Sequence, residues 1–190
     1  MEIKNKTLIN DYSFSEVSHE EFSPFFWENR PKVFGENSML TFEKTLSAAE
    51  KEKQMALAKN MAGRQYFYFF IYKNEEIVGW HFGKQIDHEE YYMVNTALFE
   101  AHRNKGVYQV FLQEMILFLK DKGYQIITSK HHASNNAVLV TKLKAGFVIK
   151  GLNIDLNFGT MVTLQYIVNE LGRSIYNYRT GSHPLPPDSQ

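Results

Sequence analysis

The sequence predicts an α/β domain built on a mixed, mostly antiparallel central sheet of about six to seven strands flanked by helices. Three observations carry that prediction. Aromatic and β-branched runs at 66–72, 77–82 and 91–99 are joined by short polar turns, the pattern of an antiparallel meander. An amphipathic stretch at 107–122 then leads into the apolar segment 125–128, and a strand reached through a helical crossover lies parallel to the one before it. With 190 residues, 44% of them hydrophobic, the chain can bury one sizeable core and has little room for two.

The remaining elements follow in order. Residues 7–14 are compatible with a short strand, and Ser18 with Glu21 placed for a capping box starts a first helix. Pro24 lies near its first turn and Pro31 limits its far end, so Phe22, Phe25, Phe26 and Trp27 are expected on a short, broken helix. Residues 43–61 are rich in Ala, Lys, Glu, Leu and Met and run to Gly63, which predicts a second helix and its terminator. Beyond 125–128, a short helix at 136–144 leads through Ala145-Gly146 into Phe147. Leu152, Ile154, Leu156 and Phe158 then alternate with Asn153, Asp155 and Asn157. A turn at 157–160 sends that strand back into 161–168. From Ser182 the chain is proline-rich and reads as a mobile or extended arm, so one domain at 1–175 and a tail at 176–190 are expected.

Composition narrows the function classes. Lys plus Arg equals Asp plus Glu at 21 each, so no global field draws the chain to nucleic acid or an acidic membrane surface. The absence of cysteine excludes disulfides, thiolate catalysis and cysteine-based metal sites, and leans toward the cytoplasm. No apolar run of signal-peptide type follows the first residues, and 66–72 is too short to span a bilayer as a helix. No metal is expected either: His131 and His132 are neighbours just after a strand and would face opposite sides.

The segment Arg103-Asn104-Lys105-Gly106-Val107-Tyr108 is the most informative. A strand that feeds through a basic, glycine-containing turn into a helix gathers unpaired N–H groups and the positive end of a helix dipole at one point, which suits a phosphate group. The order of elements resembles the GNAT family of acetyl-CoA-dependent acetyltransferases, and two segments carry the resemblance. The stretch from Thr96 through Val107 is similar to the GNAT pyrophosphate motif, a strand end and loop followed by Arg/Gln-x-x-Gly-x-Gly/Ala. The stretch from Asn135 to Phe147 is similar to the later motif, Asn-x-x-Ala with Gly-Phe closing the helix.

The resemblance implies a GNAT fold, with a strand and two helices at 1–64 on the acceptor side and a cofactor-binding sheet core at 65–168. It implies acetyl-CoA as co-substrate, a primary amine as acceptor, and direct attack in a ternary complex. A homodimer is compatible with it. The backbone from Arg103 through Asn104, Lys105, Gly106 and Val107 to Tyr108 would cradle the CoA pyrophosphate, and Ala97 and Leu98 would pair with the pantetheine arm through exposed N–H and C=O groups. Asn135 would orient the pantetheine or the acceptor amine, and it is also a natural N-cap.

Departures from the family pattern are as informative. Tyr108 stands at the last glycine or alanine position, so its side chain must point away if a diphosphate is to reach the backbone. Glu100 stands where many relatives have proline. The tyrosine that protonates the departing thiolate in many relatives is replaced by Lys142, which reads either as a proton donor or, more simply, as an exposed helix cation. The usual position of a glutamate base is Tyr92. Strict alternation puts Glu90 on the face of Tyr92, Val94 and Thr96, which makes Glu90 a base candidate or a solvated turn carboxylate. Phe25, Phe26, Trp27 and Trp80 would shape an acceptor pocket or simply fill the core. Loss of the usual acid and base positions keeps a rival open, a non-catalytic module that binds acyl-CoA or a partner protein.

Overall fold

The structure, a computed structural model, describes residues 3–35, 42–61 and 63–184. Its strands are β1 (Lys6–Thr7), β2 (Tyr12–Val17), β3 (Tyr66–Lys73), β4 (Glu76–Gln85), β5 (Glu90–Leu98), β6 (Ile126–His132), β7 (Val148–Asp155) and β8 (Gly159–Ile167). Its α-helices are α1 (His19–Phe34), α2 (Ala48–Lys59), α3 (Val107–Asp121), α4 (Asn136–Lys144) and α5 (Glu170–Arg179). The strands form one sheet in the order β1-β2-β3-β4-β5-β6-β8-β7. All neighbours are antiparallel except β5 and β6, which α3 joins as a parallel crossover. Eight strands stand where six to seven are expected, the two-residue β1 at the edge being too short to leave a pattern.

Alternation along β3 gives the domain two apolar layers. Phe67, Phe69 and Ile71 face α3 and join Phe111, Leu112, Met115 and Leu119 in the larger core. Tyr68, Phe70 and Tyr72 point the other way, toward Phe22, Phe26 and Trp80 beneath α1. The layers leave α2 outside: none of its residues is buried.

Three elements depart from the sequence expectation. First, α1 carries the expected capping box between Ser18 and Glu21 but runs unbroken through Pro24 and Pro31 to Gly35. Pro31 falls in its last turn, where a missing N–H costs least to the turns behind it. Second, the helix expected over 43–61 is a 3-10 turn at Phe42–Thr45 followed by α2, because Ser47 and Glu50 form a capping box that fixes the start. Third, α5 has no counterpart among the predicted elements, and the expected tail boundary at 176 falls inside it. Gly172, Ser174 and Asn177 lower its helix propensity, although Asn169 caps it and Leu171, Ile175 and Tyr178 lie on one stripe. Residues 185–190 of the expected proline-rich tail lie outside the described residues.

Candidate active site

Sheet register creates the site. β5 and β6 pair in parallel only from Glu90 with Ile126 to Met93 with Ser129. Past that point the strands part, so the edge of β5 from Val94 to Leu98 has no strand partner on that side. A β-bulge sits at the same place: Asn95 pairs with Phe82 and Met93 with Gly83, which leaves Val94 as the extra residue. The bulge resets the alternation. Met93 now shares a face with Thr96, whose hydroxyl is 2.7 Å from His81 Nδ1, and the single face drawn through Glu90, Tyr92, Val94 and Thr96 is broken.

The parting opens a cleft of about 1070 Å³ between β5, the head of α3, β6, α4 and the β7–β8 hairpin. At the α3 end, Asn104 and Gly106 both take positive φ, and Gly106 caps the helix in the left-handed region without a side-chain hydrogen bond. The first-turn N–H groups after Gly106 therefore have no acceptor of their own and face the cleft. Arg103 folds back and donates from Nε to the Leu98 carbonyl at 2.9 Å, so that carbonyl at the end of β5 is already taken. The Tyr108 ring packs against the larger core, and burial raises its phenol above the usual range. The ring is only partly buried and also lines the cleft beside the loop.

Lys142 occupies the inner end of the cleft, and it is no exposed cation. Its side chain is 1% exposed; Nζ donates to Ser129 Oγ at 2.9 Å, contacts Met93 Sδ at 3.3 Å and lies 4.5 Å from the centre of the Phe147 ring. Among the described residues no carboxylate pairs with it. Burial without a counter-charge lowers its pKa to about 7. Helical periodicity explains the burial: Lys142 is one turn from Leu139 and Ala145, both packed against the core. A single charged residue on a helix reads as solvated until its facing strands are known.

Other predicted residues divide between cleft and periphery. Tyr92, Ala97, Leu98, Asn104, Val107 and Asn135 join Arg103, Gly106, Tyr108 and Lys142 in the lining. Asn135 also caps α4, accepting from Val138 N–H at 3.4 Å. Glu90 and Lys105 are not among the lining residues. Glu90 accepts from Thr128 Oγ1 at 2.6 Å and pairs with Lys150 at 3.6 Å. Of the aromatics, Trp80 is fully buried, Phe22 and Phe26 pack around it, and Trp27 is exposed; α1 instead offers Arg30, Val33 and Phe34 to the cleft.

Sequence reasoning missed Asp155, Ser129 and Arg30. Asp155 is the one carboxylate among the described lining residues, at the end of β7, and its charge adds to burial in raising the Tyr92 phenol. His131 lies within β6, which extends to His132 instead of ending at 128, and it shares a face with Ser129. Among the described residues no group of three or more His, Asp or Glu side chains is placed to hold a metal, and no helix is long and apolar enough to cross a membrane.

Residues 12–147 match the model of the Acetyltransferase (GNAT) family. The chain belongs to the GNAT acetyltransferase family. Solved GNAT structures share its fold at low identity. The ribosomal-protein-S18-alanine N-acetyltransferase of Escherichia coli superposes with a TM-score of 0.61 at 13% identity, covering 83% of this chain and 94% of that one. An acetyl transferase from Salmonella typhimurium that modifies the N-terminal serine of ribosomal protein L7/L12 gives 0.61 at 14%, covering 88% and 99%. A GNAT family acetyltransferase from Elizabethkingia anophelis with acetyl-CoA bound gives 0.57 at 16%, covering 83% and 99%. No curated protein sequence matches the chain. Within this GNAT fold, Lys142 is a buried cleft lysine with no carboxylate partner among the described residues.

Proposed function

We propose that the protein is an N-acetyltransferase that moves an acetyl group from acetyl-CoA to a primary amine by direct attack in a ternary complex. The reading rests on one observation: the strands part beyond Met93 and Ser129, with the uncapped head of α3 at one end of the opening and Lys142 at the other. The residues present fit the co-substrate. N–H groups at 107–109 and the Arg103 guanidinium suit a diphosphate, and the unpaired edge of β5 suits the amides of a pantetheine arm. The Leu98 carbonyl, held by Arg103, is not one of the groups left for that pairing.

Asp155 supplies the negative charge that would draw an acceptor ammonium into the cleft. In the reaction the amine nitrogen bonds the thioester carbonyl, the C–S bond breaks, and the sulfur takes a proton. Lys142 is suited to give that proton. With a pKa of about 7 its ammonium is a stronger acid than an ordinary thiol near 8.5, so transfer to a thiolate is favourable by about 2 kcal/mol.

Thermal unfolding with acetyl-CoA tests the co-substrate, since a ligand at about a hundred times its dissociation constant stabilises by about 2.7 kcal/mol. Absence of a shift at millimolar ligand would remove the reading. Transfer itself is followed as CoA release with a panel of primary amines, matched by mass spectrometry to one acetylated product for each CoA. Release without a modified amine would sink the acceptor half.

A further inference from the structure

Ser129 Oγ stands between two nitrogen atoms, 2.9 Å from Lys142 Nζ and 3.0 Å from His131 Nε2. Ser129 is fully buried, Lys142 is 1% exposed, and His131 reaches the cleft wall. The other ring nitrogen of His131, Nδ1, has no protein partner among the described residues. A hydroxyl in that position has one proton to give and two neighbours able to take it. The three side chains therefore form a continuous hydrogen-bonded path from the cleft surface to the buried amine, and its direction depends on which end holds the extra proton.

We propose that Lys142, Ser129 and His131 form a proton relay that carries the proton lost by the attacking amine to the sulfur that leaves. The inference rests on the acetyltransferase reading and deepens it. With Lys142 neutral, His131 Nε2–H donates to Ser129 Oγ and Ser129 O–H donates to Lys142 Nζ, which leaves a lone pair on His131 Nδ1. Attack forms the N–C bond and makes the attacking nitrogen cationic and acidic. Its proton enters at His131 Nδ1, the Nε2 proton passes to Ser129, and the Ser129 proton passes to Lys142. As the C–S bond breaks, the Lys142 ammonium protonates the sulfur, so one proton leaves nitrogen and one arrives at sulfur with no other reactant. Afterwards His131 carries its proton on Nδ1, and exchange with water in the cleft restores the starting tautomer.

Surrounding groups favour transit over trapping. Burial, and then the Lys142 charge, lower the His131 pKa to about 3, so the imidazole does not hold the proton as a resting cation. His81 on β4 faces the same ammonium and is lowered to about 3 for the same two reasons. Its ring is held by Thr96 Oγ1 at 2.7 Å and Tyr91 Oη at 3.5 Å. β5 presents Met93 Sδ and the chain after α4 presents the Phe147 ring, neither of which titrates. Two of the three relay members come from one face of β6, and the third replaces the tyrosine of the family pattern, so one path supplies both the acid and the base that this chain lacks at the usual places.

The test reads the His131 tautomer by long-range ¹H–¹⁵N NMR on the intact protein between pH 5.5 and 9. The relay expects Nδ1–H while Lys142 is charged and Nε2–H once it is neutral, with the change following the Lys142 titration. Ser129→Ala should uncouple the two, and Ser129→Thr should restore the coupling. One tautomer throughout, a protonated His131, or a switch that survives Ser129→Ala would overturn the proposal. The second arm is turnover with the amine panel: His131→Gln and Ser129→Ala should each lower kcat at least tenfold with acetyl-CoA affinity unchanged. In a Lys142→Tyr background Ser129→Ala should cost less than threefold, because a phenol brings its own proton to the sulfur and no longer needs one passed through Ser129. An equal loss in both backgrounds would assign Ser129 a structural role. A tautomer switch in a protein that binds no acetyl-CoA would refute the acetyltransferase reading and, with it, the relay's part in transfer.

Discussion

Replacing Lys142 by methionine tests the physical premise of the site, that a lysine is buried there without a counter-charge. In the folded protein its pKa falls from 10.5 to about 7 because burial disfavours the ammonium. An unfolded chain keeps the proton until about pH 10.5, so between these values the unfolded state binds more protons and wild-type stability rises with pH. The slope is about 1.4 kcal/mol per pH unit, or about 3 kcal/mol from pH 7 to 9.5. Below pH 7 both states are protonated and the fold carries the full desolvation cost. Methionine keeps a linear side chain against Met93 and Phe147 with nothing to titrate, at a loss of about 1 kcal/mol for the Ser129 bond and the ring contact. Urea unfolding should therefore find Lys142→Met more stable than wild type at pH 6.5, with the advantage shrinking by about 3 kcal/mol on going to pH 9.5. A difference that stays constant across this range would show that Lys142 keeps ordinary basicity, and the acid role would fall with it. The same variant should bind acetyl-CoA normally and lose kcat by about a hundredfold or more.

Two further substitutions probe the α3 end of the cleft and a carboxylate outside its lining. Gly106→Ala meets no atom within 4 Å, so its cost is the strain of φ 77 alone, about 1 kcal/mol. That should appear as a fall of about 2–4 °C in the melting temperature, together with weaker acetyl-CoA binding as a methyl group enters the turn before the free N–H groups. Glu90→Gln keeps a group able to accept from Thr128 and lies outside the cleft lining, so kcat/KM should stay within about twofold and the pH profile should not move. A tenfold loss with a shifted acid limb would restore Glu90 as the base.

The fold was largely legible because its signals are local. Aromatic alternation at 66–72, the capping box at Ser18 and Glu21, and the crossover through 107–122 each act within a few residues, and the structure realises each of them. Where reading failed, a local signal was weak or overruled. Pro31 suggested an end that the last turn of α1 absorbs, and the low-propensity residues of α5 hid a helix that Asn169 caps. The loop from Arg103 to Tyr108 belonged to the legible part, since a helix start and its glycine are written in sequence order.

Sequence alone determined the family's two motifs, the elements that carry them and the absence of cysteine chemistry. Tertiary structure decided what the side chains between those motifs do. The bulge at Val94 turned Met93 and Thr96 to one face, the parting of β5 from β6 opened the cleft beside them, and α4 laid Lys142 across Ser129 and His131. Burial from several elements at once sets the protonation of a lysine, and residues distant in the chain supply that burial. For that reason the sequence leaves Lys142 as either a proton donor or an exposed helix cation, and only the fold shows it buried without a counter-charge.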